Sequence, residues 1–162
     1  LNGGGTAMAH TLTLAAETYL ETSPGCLPTG RALPVAETPF DFRDAKPVGR
    51  DISAPAEQLR LVNGCDHHFC VDGIGLRRAA VLRGDRSGIT MTVDITSPGV
   101  QLYTANWLSR RNGKDGAIYE PRCAVCLEPQ FPPDAVHHPD FPQPLLRKGE
   151  VYRHCTVYTF SK

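Results

Sequence analysis

Proline decides first what this chain can fold into. Fourteen prolines are spread over 162 residues, and five of them, Pro24, Pro28, Pro34, Pro39 and Pro47, fall between residues 24 and 50. Each lacks a backbone N–H and clashes with a preceding helical turn. That density excludes long helices there and leaves short strands and loops. A second concentration, from Pro132-Pro133 through Pro144, reads as a Pro-rich excursion. Elsewhere the apolar residues recur with the period of strands. Thr11-Leu12-Thr13-Leu14 alternates polar and apolar, with Glu17–Leu20 as its extension after a kink. Residues 90 to 96 form the cleanest strand, with Met91, Val93 and Ile95 facing one way. Arg86-Ser87-Gly88 ahead of it is a turn, so residues 78–97 read as a β-hairpin. Phe69–Val71, Ala79–Arg83, Val100–Ala105 and Val151–Phe160 read as further strands. Ser23-Pro24-Gly25 and Pro28-Thr29-Gly30 read as turns, and Pro55–Leu59 as one helical turn opened by its proline. Short, closely spaced strands with almost no helical periodicity predict one all-β domain over residues 1–162, an antiparallel β-sandwich.

Charge narrows the partners. Lys+Arg and Asp+Glu are both 17, so no basic excess exists to neutralise the phosphates of a nucleic acid or an anionic membrane surface. No apolar run approaches the length of a membrane-spanning helix. The start of the chain shows no basic-then-apolar leader pattern. With that absence, the six cysteines read as reduced thiols of a cytoplasmic protein. Cys123 and Cys126 form a Cys-x-x-Cys, but a zinc ribbon needs a second pair. Three apart in a strand, they point to opposite faces, so no metal site is expected. No Gly-x-Gly-x-x-Gly and no P-loop is present, and no cofactor is expected.

The stretch most loaded with chemistry is Cys123-Ala124-Val125-Cys126-Leu127-Glu128-Pro129-Gln130-Phe131. A short apolar run bounded by turn signals reads as a buried strand. Glu128 at its end is either a salt-bridged structural carboxylate or a general base beside a pocket. Two other stretches bear on that choice: Gly64-Cys65-Asp66-His67-His68-Phe69, and Pro98-Gly99-Val100-Gln101-Leu102-Tyr103-Thr104-Ala105-Asn106-Trp107. Taken alone, Asp66 reads as a turn residue and Gln101 as an exposed strand amide. In this order the three stretches resemble the aldose 1-epimerase (galactose mutarotase) family. The resemblance extends to Leu27-Pro28-Thr29-Gly30, to Thr38–Arg43 and to the Leu-Arg-x-Gly-Glu-x-Tyr pattern of Leu146–Tyr152, so it spans nearly the whole chain.

The resemblance implies a large antiparallel β-sandwich of the galactose mutarotase type, incomplete in this chain. It implies interconversion of the α and β anomers of a free hexose such as glucose or galactose. Ring opening of the hemiacetal needs a base at the anomeric hydroxyl and an acid at the ring oxygen. Glu128 matches the family's base, and Asp66 and Gln101 match its sugar-binding residues. The family's acid histidine would lie at or before Leu1-Asn2, so the chain is expected to be a C-terminal part completed by an N-terminal half or a second chain. His67 and His137 are the conceivable substitutes for that acid; with His138 and His154 they otherwise read as surface or structural histidines. Departures from the pattern are Cys65 for Tyr, His68 for Asn, Ala105 for Gly, Trp107 for Phe and Pro129 for Thr. Pro129 removes a backbone donor beside Glu128. Two alternatives stay open: a non-catalytic carbohydrate-binding β-domain, and an epimerase of a phosphorylated hexose that would use Arg77-Arg78 or Arg110-Arg111.

Overall fold

The structure is a computed structural model describing residues Leu1–Lys162. Its strands in chain order are β1 (Thr11–Leu14), β2 (Thr18–Thr22), β3 (Pro28–Pro34), β4 (Lys46–Pro47), β5 (Asp66–Cys70), β6 (Arg77–Arg83), β7 (Thr90–Ile95), β8 (Gly99–Tyr103), β9 (Arg111–Asn112), β10 (Ile118–Tyr119), β11 (Cys126–Gln130) and β12 (Thr156–Ser161). One short helix, α1 (Glu57–Leu61), follows Pro55. Two five-stranded antiparallel sheets carry the architecture, ordered β12-β7-β6-β1-β4 and β11-β8-β5-β2-β3. The short pair β9-β10 stands apart from both. This is the antiparallel sandwich that the proline spacing and alternation predict.

The two sheets share one core. Leu12, Leu14, Ala80, Leu82, Val93 and Ile95 from the first sheet belong to the same buried cluster as Tyr19, Phe69, Val100, Leu102 and Leu127 from the second. In β1 and in the second half of β7 every second residue is buried in the core, as the pleat requires, whereas β12 at the sheet edge buries none. The Thr38–Arg43 stretch fills the space between. Phe40 stacks on Tyr19 with ring centroids 4.4 Å apart, and Phe42 packs edge-on to Phe69. Lys46, 2% exposed, lies over the Phe42 ring and donates to the Pro39 carbonyl and to Asp51 Oδ2, each at 2.7 Å. Its buried charge is therefore paired and hydrogen-bonded, the condition for tolerating it.

The hairpin over 78–97 is present as β6-β7, with Arg83 opposite Thr90. Several local readings differ from the structure. β2 does not extend β1: the chain turns at Ala15-Ala16 and crosses to the other sheet. Pro28-Thr29-Gly30 lies in β3 rather than in a turn, because β3 is a sheet edge whose outward groups need no ladder partner. The last strand starts at Thr156, not Val151, since pairing with β7 begins where Thr156 meets Ile95. The stretch Cys123–Phe131 is not a buried strand. Only Cys126–Gln130 pairs, at the edge of its sheet, and of those residues only Leu127 is buried.

Candidate active site

Strands β5, β8 and β11 lie side by side in the second sheet, and their register builds the site. Glu128 stands opposite Gln101, and Gln101 stands opposite His68. One step along, Cys126 stands opposite Tyr103, and Tyr103 opposite Asp66. Residues directly across a sheet share a face, and so do residues two apart along a strand. Asp66, His68, Gln101, Tyr103, Cys126 and Glu128 are therefore on one face. His67, Phe69, Val100, Leu102 and Leu127 are on the other, which is the core face. All three residues singled out from the sequence are thus brought together on the outer face of the sheet.

Gln101 Nε2 donates to Asp66 Oδ1 at 2.9 Å, which fixes the amide and one carboxylate oxygen. The second oxygen of Asp66 remains to accept from hydroxyls, whereas the Gln101 carbonyl oxygen is buried without a partner. Glu128 is exposed over much of its surface, yet partial burial of its carboxyl raises its pKa above the ordinary value, and the neighbouring Asp66 charge adds to the rise. Desolvation and a like charge both disfavour the ionised form, so Glu128 holds a proton more strongly than a free glutamate. Burial and then the Glu128 charge also raise Tyr158 of β12, whose hydroxyl reaches the Leu127 carbonyl at 3.4 Å. Pro129 does not disturb this arrangement. β11 is an edge strand, the usual place for a strand proline, and pairing runs unbroken from Cys126 to Gln130.

A buried polar knot aims Asp66. Asn106, 3% exposed, donates through Nδ2 to the carbonyls of Val62 at 2.9 Å and Cys65 at 2.8 Å. Its Oδ1 accepts from Thr104 Oγ1 at 2.6 Å, and the same hydroxyl accepts the Cys65 N–H at 3.0 Å. Gly64, at φ +141°, closes the turn so tightly that a Cβ there would sit 2.3 Å from Asn106 Oδ1. The Thr-Ala-Asn part of the sequence stretch is therefore structural. It holds the turn from which β5, and with it Asp66, emerges.

The histidines separate clearly. His67 faces the core, packed against Phe40 and Tyr19. Its Nδ1 accepts the Asp66 N–H, its Nε2 lies 3.2 Å from Gln58 Oε1, and burial lowers its pKa to about 4. It is on the wrong face to serve the site. His137 is exposed and paired with Asp134. His138 packs on Phe141, and His154 on Tyr152. His68 is the residue that sequence reasoning passed over. It lies in the row beside Gln101, 2% exposed, with its pKa lowered by burial to about 4. The signal was present in the spacing, since Asp66 and His68 are two apart in a strand. The arginines considered for a phosphate are engaged elsewhere: Arg77 with backbone carbonyls of residues 71–97, Arg78 with Asp94, Arg110 with Glu120 and Arg111 with Ser109.

Comparison with known proteins adds an independent line. The family profile described as Aldose 1-epimerase matches residues 1–159. Human galactose mutarotase is 41% identical over 154 residues, covering 94% of this chain and 44% of that protein. The aldose 1-epimerase of Escherichia coli (strain K12) is 35% identical over 155 residues, covering 93% of this chain and 44% of its own length. Among solved structures, an aldose epimerase homologue from C. elegans superposes with a TM-score of 0.86 at 29% identity, over 96% of this chain and 46% of that one. A galactose 1-epimerase from Lactobacillus acidophilus NCFM superposes with a TM-score of 0.76 at 26% identity, over 96% of this chain and 45% of that one. The chain thus spans less than half the length of the relatives it matches.

Proposed function

The chain belongs to the aldose 1-epimerase family, and from that premise we propose that it carries the base and half of the sugar-binding face of an enzyme interconverting the α and β anomers of a free hexose, glucose or galactose. The observation that supports this reading is the row Asp66–Gln101–Glu128 on one open sheet face. Glu128, its proton affinity raised, takes the proton from the anomeric hydroxyl; positioned proton transfer contributes about 10²- to 10⁴-fold. Asp66 and Gln101, locked to each other, accept and donate to the ring hydroxyls and set the sugar's orientation. The second transfer, to the ring oxygen, needs an acid. His67 faces the core and His137 is held by Asp134, so in this proposal the acid comes from polypeptide that completes the face. The protein acts in the cytoplasm, a placement supported by its six unpaired cysteines.

The test is polarimetry on freshly dissolved α-D-glucose with the full-length parent protein and its Glu128→Gln variant. The variant is expected to lose the catalysed exchange while still binding sugar by calorimetry. Unchanged exchange would remove Glu128 from the mechanism and leave a carbohydrate-binding domain as the reading of this face.

A further inference from the structure

Two sheet edges meet beside the row. β11 ends the second sheet and pairs on one side only, with β8, while β12 ends the first sheet and pairs on one side only, with β7. Glu128 thus sits on a strand whose outer backbone groups have no ladder partner. A reacting group must be held closely, since a misplacement of about 1 Å can cost on the order of 10²-fold in rate. The open side of β11 therefore needs a restraint that its own sheet does not supply.

Tyr158 is placed to supply it. It stands opposite Val93 in the β12–β7 pair, and Val93 is fully buried in the core. Residues opposite one another share a face, so Tyr158 belongs to the inner face of the first sheet. It is still 46% exposed, because its strand ends that sheet. Its side chain crosses from one sheet edge to the other, and its hydroxyl donates to the Leu127 carbonyl at 3.4 Å. Leu127 directly precedes Glu128. After burial, the Glu128 charge is what raises the Tyr158 pKa, so phenol and carboxyl lie within electrostatic reach. The ionisable neighbours on the face of Glu128 all belong to the second sheet: Asp66 and His68 on β5, Tyr103 on β8 and Cys126 on β11 itself. Tyr158 comes from the first. A neutral phenol adds no charge beside the carboxylate, but its ring displaces water. Desolvation is the larger cause of the raised Glu128 pKa, ahead of the Asp66 charge.

We propose that Tyr158 is a positioning residue for the base: its hydroxyl clasps the open side of β11 at Leu127, and its ring keeps water from one flank of the Glu128 carboxyl. The inference rests on the reading of Glu128 as the base. The two contributions are separable. The clasp fixes where the carboxylate sits when it meets the anomeric proton, and the ring sets how firmly it holds that proton.

Two variants of the full-length parent protein test it, by polarimetry on α-D-glucose across pH and by carbon-13 NMR titration of the Glu128 carboxyl. Tyr158→Phe fills the same space and loses only the clasp. Its kcat is expected to fall about two- to tenfold, the value of one neutral hydrogen bond, with KM and the pH profile unmoved. Tyr158→Ala loses both contributions. Water then reaches the carboxyl and its pKa falls towards the ordinary glutamate value. The acid limb of exchange, where the base becomes protonated, moves to lower pH with it. A residue that merely stabilised the sheet edges would lower the urea midpoint and leave kcat and that limb in place. An unchanged kcat in Tyr158→Phe, or a Glu128 titration in Tyr158→Ala identical to that of the parent, overturns the proposal. Glu128→Gln keeps the two readings apart: exchange that survives it removes Glu128 as the base, whereas inactive Glu128→Gln beside unaffected Tyr158 variants removes Tyr158 alone.

Discussion

Replacing Asn106 by Ala tests whether the knot behind Asp66 is what presents it. The substitution removes two donated bonds, to Val62 and Cys65 carbonyls, and one accepted from Thr104, all in a site 3% exposed. Neutral hydrogen bonds contribute about 0.5–1.5 kcal/mol each. The Cys65 carbonyl keeps the Thr104 amide at 3.1 Å, so it is not orphaned, which holds the total below the upper limit. We expect a loss of about 3 kcal/mol, measured by urea denaturation followed by circular dichroism and by the fluorescence of Trp107, the single tryptophan, which is adjacent in sequence. Asn106→Asp sharpens the test. Its carboxylate keeps the bond from Thr104 but faces two carbonyl oxygens, which raises its pKa in the folded state. Folded protein then binds the proton more tightly than unfolded protein, so this variant regains stability as pH falls. A loss below about 1 kcal/mol in Asn106→Ala, or an Asp variant without that recovery, would show that sheet pairing alone holds the turn.

Ala105 sits at φ +53°, a left-handed conformation that costs a residue with a Cβ about 1–2 kcal/mol; Ala105→Gly is expected to raise stability by about 0.5–1 kcal/mol after the glycine entropy is offset, and an unchanged urea midpoint would refute it. Gly99→Ala places a Cβ 2.4 Å from the Phe69 carbonyl oxygen as well as against His68, so a loss of at least about 2 kcal/mol is expected in the same assay, and a neutral outcome would mean that β8 shifts freely. His67 and His68 have folded-state pKa values near 4, below the unfolded 6.5. The unfolded chain therefore binds up to two more protons between those values, and stability, complete above pH 6.5, falls as pH drops towards 4 with a limiting slope of about 2.7 kcal/mol per pH unit. Replacing His67 or His68 with a neutral residue should reduce that slope, and a slope independent of both would refute the assignment.

Alternation and punctuation, which are local, were legible in the chain itself. Proline density ruled out long helices, and Leu12-Leu14 and Met91-Val93-Ile95 marked core-facing strand positions before any pairing was known. The three stretches around Asp66, Gln101 and Glu128 named the residues of the row. Their roles separated only in the folded sheet. Asn106 and Gly64 lie in those same stretches and proved to be supports, because the partners they hold, Val62 and Cys65, are distant in sequence from residue 106. His67 and His68 look equivalent along the chain, yet one is a core residue and the other stands beside Gln101. A strand shows two faces, and which one is buried depends on the sheet that packs against it. The register that sets Glu128 opposite Gln101, and Gln101 opposite His68, joins segments about 30 residues apart. Such pairing is decided by the collective burial of both sheets' apolar faces, so only the tertiary structure could turn three sequence motifs into one surface.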